Sequence, residues 1–289
     1  MGKIFDTLSE LNLTSKATAE IFSSRTRDNP NLNVMRDSIS GVIYIDDFHV
    51  ENEQYISGEY RNEEVDFIHF KNYERVIDTR RRLSNYEKYF INLDICDVGC
   101  GAGDFLRDAK ELAKSVSGVE LQKNYVQSLN SDNISCLSNI QEYKEKFDTL
   151  FSFHVLEHFD NPIEMLKSMK NQLKKGGKMI IEVPHANDFL ISTVDCKPFI
   201  DFTLWSQHLV LHTRESLRTF LLKAGFSNVL IEGVQRYPLS NHLTWLSESN
   251  PGGHKSILST IDSSELHTSY ENALRKINAT DTLVAIVTV

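Results

Sequence analysis

Residues 97–103 read Asp-Val-Gly-Cys-Gly-Ala-Gly, set between an apolar run that ends at Val98 and an amphipathic stretch that opens at Asp104. Three glycines at alternate positions let a strand turn sharply into a helix and let the backbone approach a ligand closely. Such a turn belongs in a parallel sheet covered by helices, and the chain beyond it agrees. Apolar runs at 93–98, 117–120, 134–137, 147–153, 178–183 and 228–231 alternate with stretches at 104–114, 161–173 and 213–224, where apolar residues recur three and four apart. This pattern predicts an α/β, doubly wound, Rossmann-like and mostly parallel sheet. Asn161-Pro162 and Thr213 read as helix starts, Gly176-Gly177 and Gly225 as stops. The β-branched run Thr282 to Val289 supplies an antiparallel last strand.

The loop chemistry narrows the ligand. A phosphate-cradling P-loop needs a lysine after its glycines, and none follows here. A dinucleotide fingerprint needs glycine at the sixth place from Gly99, where this chain has Asp104. Asp97 would also face a pyrophosphate: two like charges about 4 Å apart cost roughly 4 kcal/mol at an effective dielectric of 20, nearly three decades of affinity. An NAD-dependent oxidoreductase is therefore the weaker alternative. The same carboxylate attracts a ligand with a cationic end, such as the amino group and sulfonium of S-adenosylmethionine. Glu120, ending the second run, is placed to accept hydrogen bonds from ribose hydroxyls.

With these residues in view, the chain resembles the class I S-adenosylmethionine-dependent methyltransferases. Asp97 to Gly103 resembles the first motif of that family, and Gly118-Val119-Glu120 its second-strand acid. Phe147 to Leu150 with His154 to Phe159 resembles the fourth-strand motif, Leu173 to Lys178 the turn before the fifth strand, and Gln207 to Thr213 with Ala224-Gly225-Phe226 a later segment. The resemblance implies S-adenosyl-L-methionine as cofactor, with Asp97, Gly99, Cys100, Gly101 and Gly103 at its methionine end. It also implies Glu120 and Leu121 at the ribose, Asn139 and Ile140 at the adenine, and His154 beside the methyl donor. A non-catalytic adenosyl-binding partner protein is a further alternative, against which the intact loop and fourth-strand motif count.

The flanks carry acceptor choice. Residues 1–92 read as an N-terminal extension and helical lid, 93–289 as the methyltransferase domain, and 233–281 as an acceptor-side insertion before the last strand. Arg236, Tyr237, Asn241, Trp245 and His254 fall in that insertion, whose aromatic and hydrogen-bonding groups suit a hydroxyl-rich acceptor. It resembles the tail of bacterial sugar and surface-polysaccharide methyltransferases, so a sugar or sugar nucleotide is the expected acceptor. A hydroxyl acceptor needs a base, and histidine serves near neutral pH. His154, His185 and His242 are the first candidates, with His208 behind them.

Other signals exclude more than they assign. The 31 basic against 40 acidic side chains leave a net charge of −9, which argues against broad phosphate binding and hence against nucleic acid. No apolar run approaches the ~20 residues of a membrane span, and Lys3, Asp6 and Glu10 stand where a signal peptide would be apolar, so a cytoplasmic protein is expected. Cys96, Cys100, Cys136 and Cys196 contain no C-x-x-C pair and read as buried free thiols. The stretch His154 to His158 fits H-x-x-E-H, a zinc signature that requires a helix, but here it follows a strand. Asp37 and Ser40 replace both thiols of a C-x-x-C-G found in some relatives, and no metal is expected at either place. Arg80-Arg81-Arg82 reads as a solvated helix face, with an anionic substrate as the alternative.

Overall fold

Seven strands form the central sheet of the computed structural model, which describes residues 2–46 and 73–289. In chain order the strands are β1 (Ala19–Ser23), β2 (Val34–Asp37), β3 (Ile43–Tyr44), β4 (Asp94–Val98), β5 (Ser115–Val119), β6 (Ser135–Leu137), β7 (Phe147–Phe153), β8 (Leu173–Pro184), β9 (Val210–Leu211), β10 (Asn228–Val234) and β11 (Thr282–Thr288). The large sheet runs β10-β11-β8-β7-β4-β5-β6. Pairs among β4 to β8 are parallel, while β11 lies antiparallel between β8 and β10. The order reverses beside β4, and the glycine loop leaves that strand at the carboxyl edge, where open α/β sheets bind ligands.

Alternation along each strand builds two cores. Cys96, Val98, Leu150, Met179, Ile181, Leu283 and Ala285 face one side, Ile95, Phe151, Phe153, Ile180 and Val284 the other. The first side is covered by α1 (Lys3–Glu10), α5 (Pro162–Asn171) and α8 (Arg214–Lys223). The second is covered by α2 (Tyr73–Tyr86), α3 (Asp104–Ala109) and α4 (Lys123–Ser131), through Tyr86, Phe105, Leu106 and Leu129. Local chemistry fixes the helix ends. Asn161 caps α5 with Pro162 in its first turn, and Thr213 with Ser216 forms a capping box on α8. Gly225 follows α8 at φ +90°, a left-handed stop.

Several expectations shift. Gly176 and Gly177 do not stop a helix; they lie inside β8, beside a register irregularity between Phe147 and Thr149 on its neighbour. Residues 2–46 carry β1, β2 and β3, which form a second, antiparallel sheet that closes on β9. Of the helical segment expected toward the end of 1–92, the described part begins at Tyr73; residues 47–72 lie outside the described residues. Residues 233–281 hold α9 (Leu239–Glu248) and α10 (Ser264–Lys276). Among the described residues no helix is long and apolar enough to cross a membrane.

Candidate active site

All three loop glycines sit in the left-handed region, Gly99 at φ +79°, Gly101 at +55° and Gly103 at +78°. Their surroundings differ. A Cβ at Gly99 would collide with the Val155 side chain, and one at Gly103 with that of Leu129, so packing requires both glycines. At Gly101 a Cβ would meet nothing within 4 Å. The bare backbone there faces open space, the cradle a ligand needs. Glu120 braces it, accepting from the Gly101 N–H at 2.9 Å and from the Gln122 N–H at 2.9 Å. A carboxylate has lone pairs beyond those two bonds, so ribose hydroxyls remain within its capacity.

Asp97 is 4 % exposed, and its Oδ1 has no hydrogen-bond partner among the described residues. Burial pushes its carboxyl up to about 7, against the pull of Arg82. An orphaned, buried acid at the carboxyl edge of β4 fits a cationic amino group. The chemistry of this edge, a buried unpartnered acid beside a bare glycine turn, fits the cationic end of S-adenosylmethionine. Leu121 is 39 % exposed, an apolar face left uncovered next to Glu120. Asn139 caps the turn at 140–142 by accepting from the Gln141 N–H, while the Ile140 side chain is buried in the first core. Cys100 is half-buried with its Sγ 4.0 Å from that of Cys136; all four cysteines are free thiols.

A charged cluster roofs the same edge. Glu182 at the end of β8 is fully buried and accepts from Arg81 at 2.8 and 2.9 Å, Arg82 at 3.0 Å and the Tyr86 hydroxyl at 2.7 Å. Burial opposes its charge, but Arg82 and Arg81 hold the carboxyl well below the usual range. Arg236 reaches from the insertion to Asp78 on α2, at 3.1 Å through Nε. Arg81 and Arg82 thus are no solvated face: they are half-buried ends of an ion-pair network centred on buried Glu182, while Arg80 is exposed. Amphipathic spacing alone could not reveal this, because their partner lies 100 residues on.

The three histidines differ in access. His154 follows β7 at φ +57° and is 20 % exposed, with Nδ1 3.5 Å from Glu157 and Nε2 4.0 Å from Glu182. Burial and Arg236 keep its ring neutral near pH 7. His185 is 1 % exposed, bonded to the Thr280 carbonyl at 2.8 Å and pushed down to about 4 by burial. His242 is 3 % exposed, stacked on Phe189, bonded to the Tyr270 hydroxyl at 2.6 Å and likewise pushed down to about 4 by burial. Neither His185 nor His242 lines the cleft beside α2. Among the acceptor candidates, Arg236, Tyr237 and His254 line a cleft with Glu74 and Asp78 of α2. Asn241 sits behind it, taking the Gly252 N–H at 3.2 Å, and Trp245 packs on Phe199 and Phe202. The structure brings neither to the cleft.

The strand order, the glycine turn and the acid at the end of β5 define a class I S-adenosylmethionine-dependent methyltransferase. A family model described as "Methyltransferase domain" matches residues 44–231, and the chain belongs to that family. Its cofactor is S-adenosyl-L-methionine, which when bound supplies an electrophilic methyl group on a sulfonium. The fold matches the crystal structure of an S-adenosylmethionine-dependent methyltransferase from Archaeoglobus fulgidus, with a TM-score of 0.52 and 21% identity over 76% of this chain and 96% of that one. Two curated relatives are named tRNA U34 carboxymethyltransferase. That of Nautilia profundicola is 34% identical over 39% of this chain and 43% of its own length, and that of Mannheimia succiniciproducens 32% identical over 49% and 47%. The chain thus spans under half the length of either. These names overturn the sugar, sugar-nucleotide and polysaccharide acceptor and the exclusion of nucleic acid. Net charge bounds phosphate binding over a whole surface; it does not decide whether one local site takes a nucleoside.

Proposed function

We propose that the chain transfers a methyl group from S-adenosylmethionine to a base of tRNA. One observation carries this reading, the 31–34% identity over 122 to 157 residues to relatives named for tRNA U34. In it, Asp97 and the three glycines hold the methionine end, Glu120 and Leu121 the ribose, and Asn139 and the Ile140 backbone the adenine. The acceptor enters beside α2 and the 233–281 insertion, past Arg236, Tyr237 and His254. His154 is the group that takes up a proton, since its ring is neutral and the most exposed of the three candidates. With tRNA as acceptor the protein works in the cytoplasm. A net charge of −9 implies few phosphate contacts and a shallow salt dependence.

The test incubates the purified chain with transcribed tRNA and S-adenosylmethionine labelled in its methyl group, then digests the RNA to nucleosides. The expected result is a labelled uridine that disappears when position 34 is changed. Binding of the cofactor without label in any tRNA would overturn the acceptor and leave the cofactor assignment standing.

A further inference from the structure

We infer that Glu157, His158 and His208 form a binding site for one divalent transition-metal ion, with zinc as the expected occupant. One ligand atom from each residue lies within 4.8 Å of the other two. Glu157 is fully buried, and neither of its carboxylate oxygens has a hydrogen-bond partner among the described residues. A buried carboxyl with no hydrogen-bond partner either keeps a proton, as burial drives this one to do by pushing it up to about 8, or meets a cation; besides His154 Nδ1 at 3.5 Å it faces the imidazoles of His158 and His208. The surroundings orient those rings as a metal site requires. His158 Nδ1 donates to the Gln207 carbonyl at 2.8 Å, the kind of outer bond that orients a metal-binding histidine. The Leu209 N–H donates to the Glu157 carbonyl at 2.8 Å and ties the two ligand segments together. The Gln207 side-chain carbonyl, also buried and without a partner among the described residues, belongs to the same loop.

The ligand set decides the class of ion. Two imidazoles and one carboxylate leave a fourth position open and suit zinc, where calcium or magnesium would take oxygen donors. Ligand atoms around a tetrahedral zinc lie roughly 3.3 Å apart for bonds of ~2.0 Å, so the present triangle, with its atoms within 4.8 Å of one another, contracts on binding. Arg27, stacked 4.7 Å from the Trp205 ring that itself edges onto His158 and His208, is a nearby charge that opposes a cation. The site does not use the H-x-x-E-H stretch as a helical zinc motif does: His154 lies at a strand end with left-handed backbone, and His208 takes its place as second imidazole. A bound ion would fix the turn at Leu156–His158 immediately after His154.

The experiment titrates zinc chloride into the chelator-treated full chain, with cobalt(II) as an optical probe. The expected result is one zinc per chain, tetrahedral visible absorption from cobalt, and loss of both in Glu157→Gln and in His208→Gln, each checked for native far-UV circular dichroism. No uptake, or uptake unchanged in both variants, would overturn the site. Zinc binding that leaves the His158 and His208 ring signals of the unaltered chain unmoved in NMR would do so equally, so the result does not depend on either variant folding.

Discussion

In the cofactor site proposed above, the burial of Asp97 links cofactor affinity to pH. Its carboxyl sits at about 7 in the fold because burial penalises the charge, against ~3.9 in an unfolded chain. Between those values the native state holds a proton that the unfolded state has lost, so this group makes stability fall as pH rises from about 4 to 7. A displacement of that size corresponds to about 4 kcal/mol, a cost a bound ammonium relieves. Cofactor affinity is expected to rise by up to ~10-fold per pH unit below pH 7 and to flatten above it. Calorimetry across pH 5 to 8 checks this, and Asp97→Asn should bind more weakly with no such slope. A wild-type affinity independent of pH would contradict the role. The carboxylate was legible in the sequence from its place before the glycines; its orphaned oxygen was not, since burial comes from the packing of β4, α2 and β8.

At the level of elements, α2 is joined to the sheet through charge as well as apolar contact. Glu182 takes Arg81, Arg82 and Tyr86 together, and Asp78 takes Arg236. Breaking a buried pair leaves uncompensated charge and costs ~3–5 kcal/mol. Glu182→Gln should therefore lower the unfolding free energy extrapolated from urea titration by an amount of that order and loosen α2, read as faster hydrogen exchange over 73–86. A loss under ~1 kcal/mol, the worth of an exposed pair, would mean that the network adds little. The elements themselves divide by how local their signals are. Strands β4, β7 and β8 announce themselves as apolar runs because both faces are buried, and α5 and α8 by their caps and spacing. The second sheet does not, because β9 is two residues long and its partner β3 lies more than 160 residues earlier. The fate of Arg81 and Arg82 was hidden for the same reason, their acid being on a distant strand.

For the whole molecule, the question is whether the first 46 residues are an appendage or part of the core. Ile4, Phe5, Leu8, Leu13, Val42 and Tyr44 are buried in the cluster that holds Val98, Leu150, Ile181 and Phe220. Asp46 fastens the start of α1, accepting from the Gly2 and Phe5 N–H groups at 2.8 Å each. Each large apolar side chain so buried contributes roughly 1.5–3 kcal/mol, and losing six approaches the whole ~5–15 kcal/mol stability of a domain. Deleting residues 1–46 should thus do more than remove a cover. The shortened chain is expected to lose its cooperative thermal transition and near-UV circular dichroism, and cofactor binding with them. A shortened chain that melts at the wild-type temperature and binds S-adenosylmethionine unchanged would show that the sheet stands without the first 46 residues. Cofactor site and acceptor cleft would then rest on residues 73–289 alone, and the second sheet would serve only to dress the back of the fold.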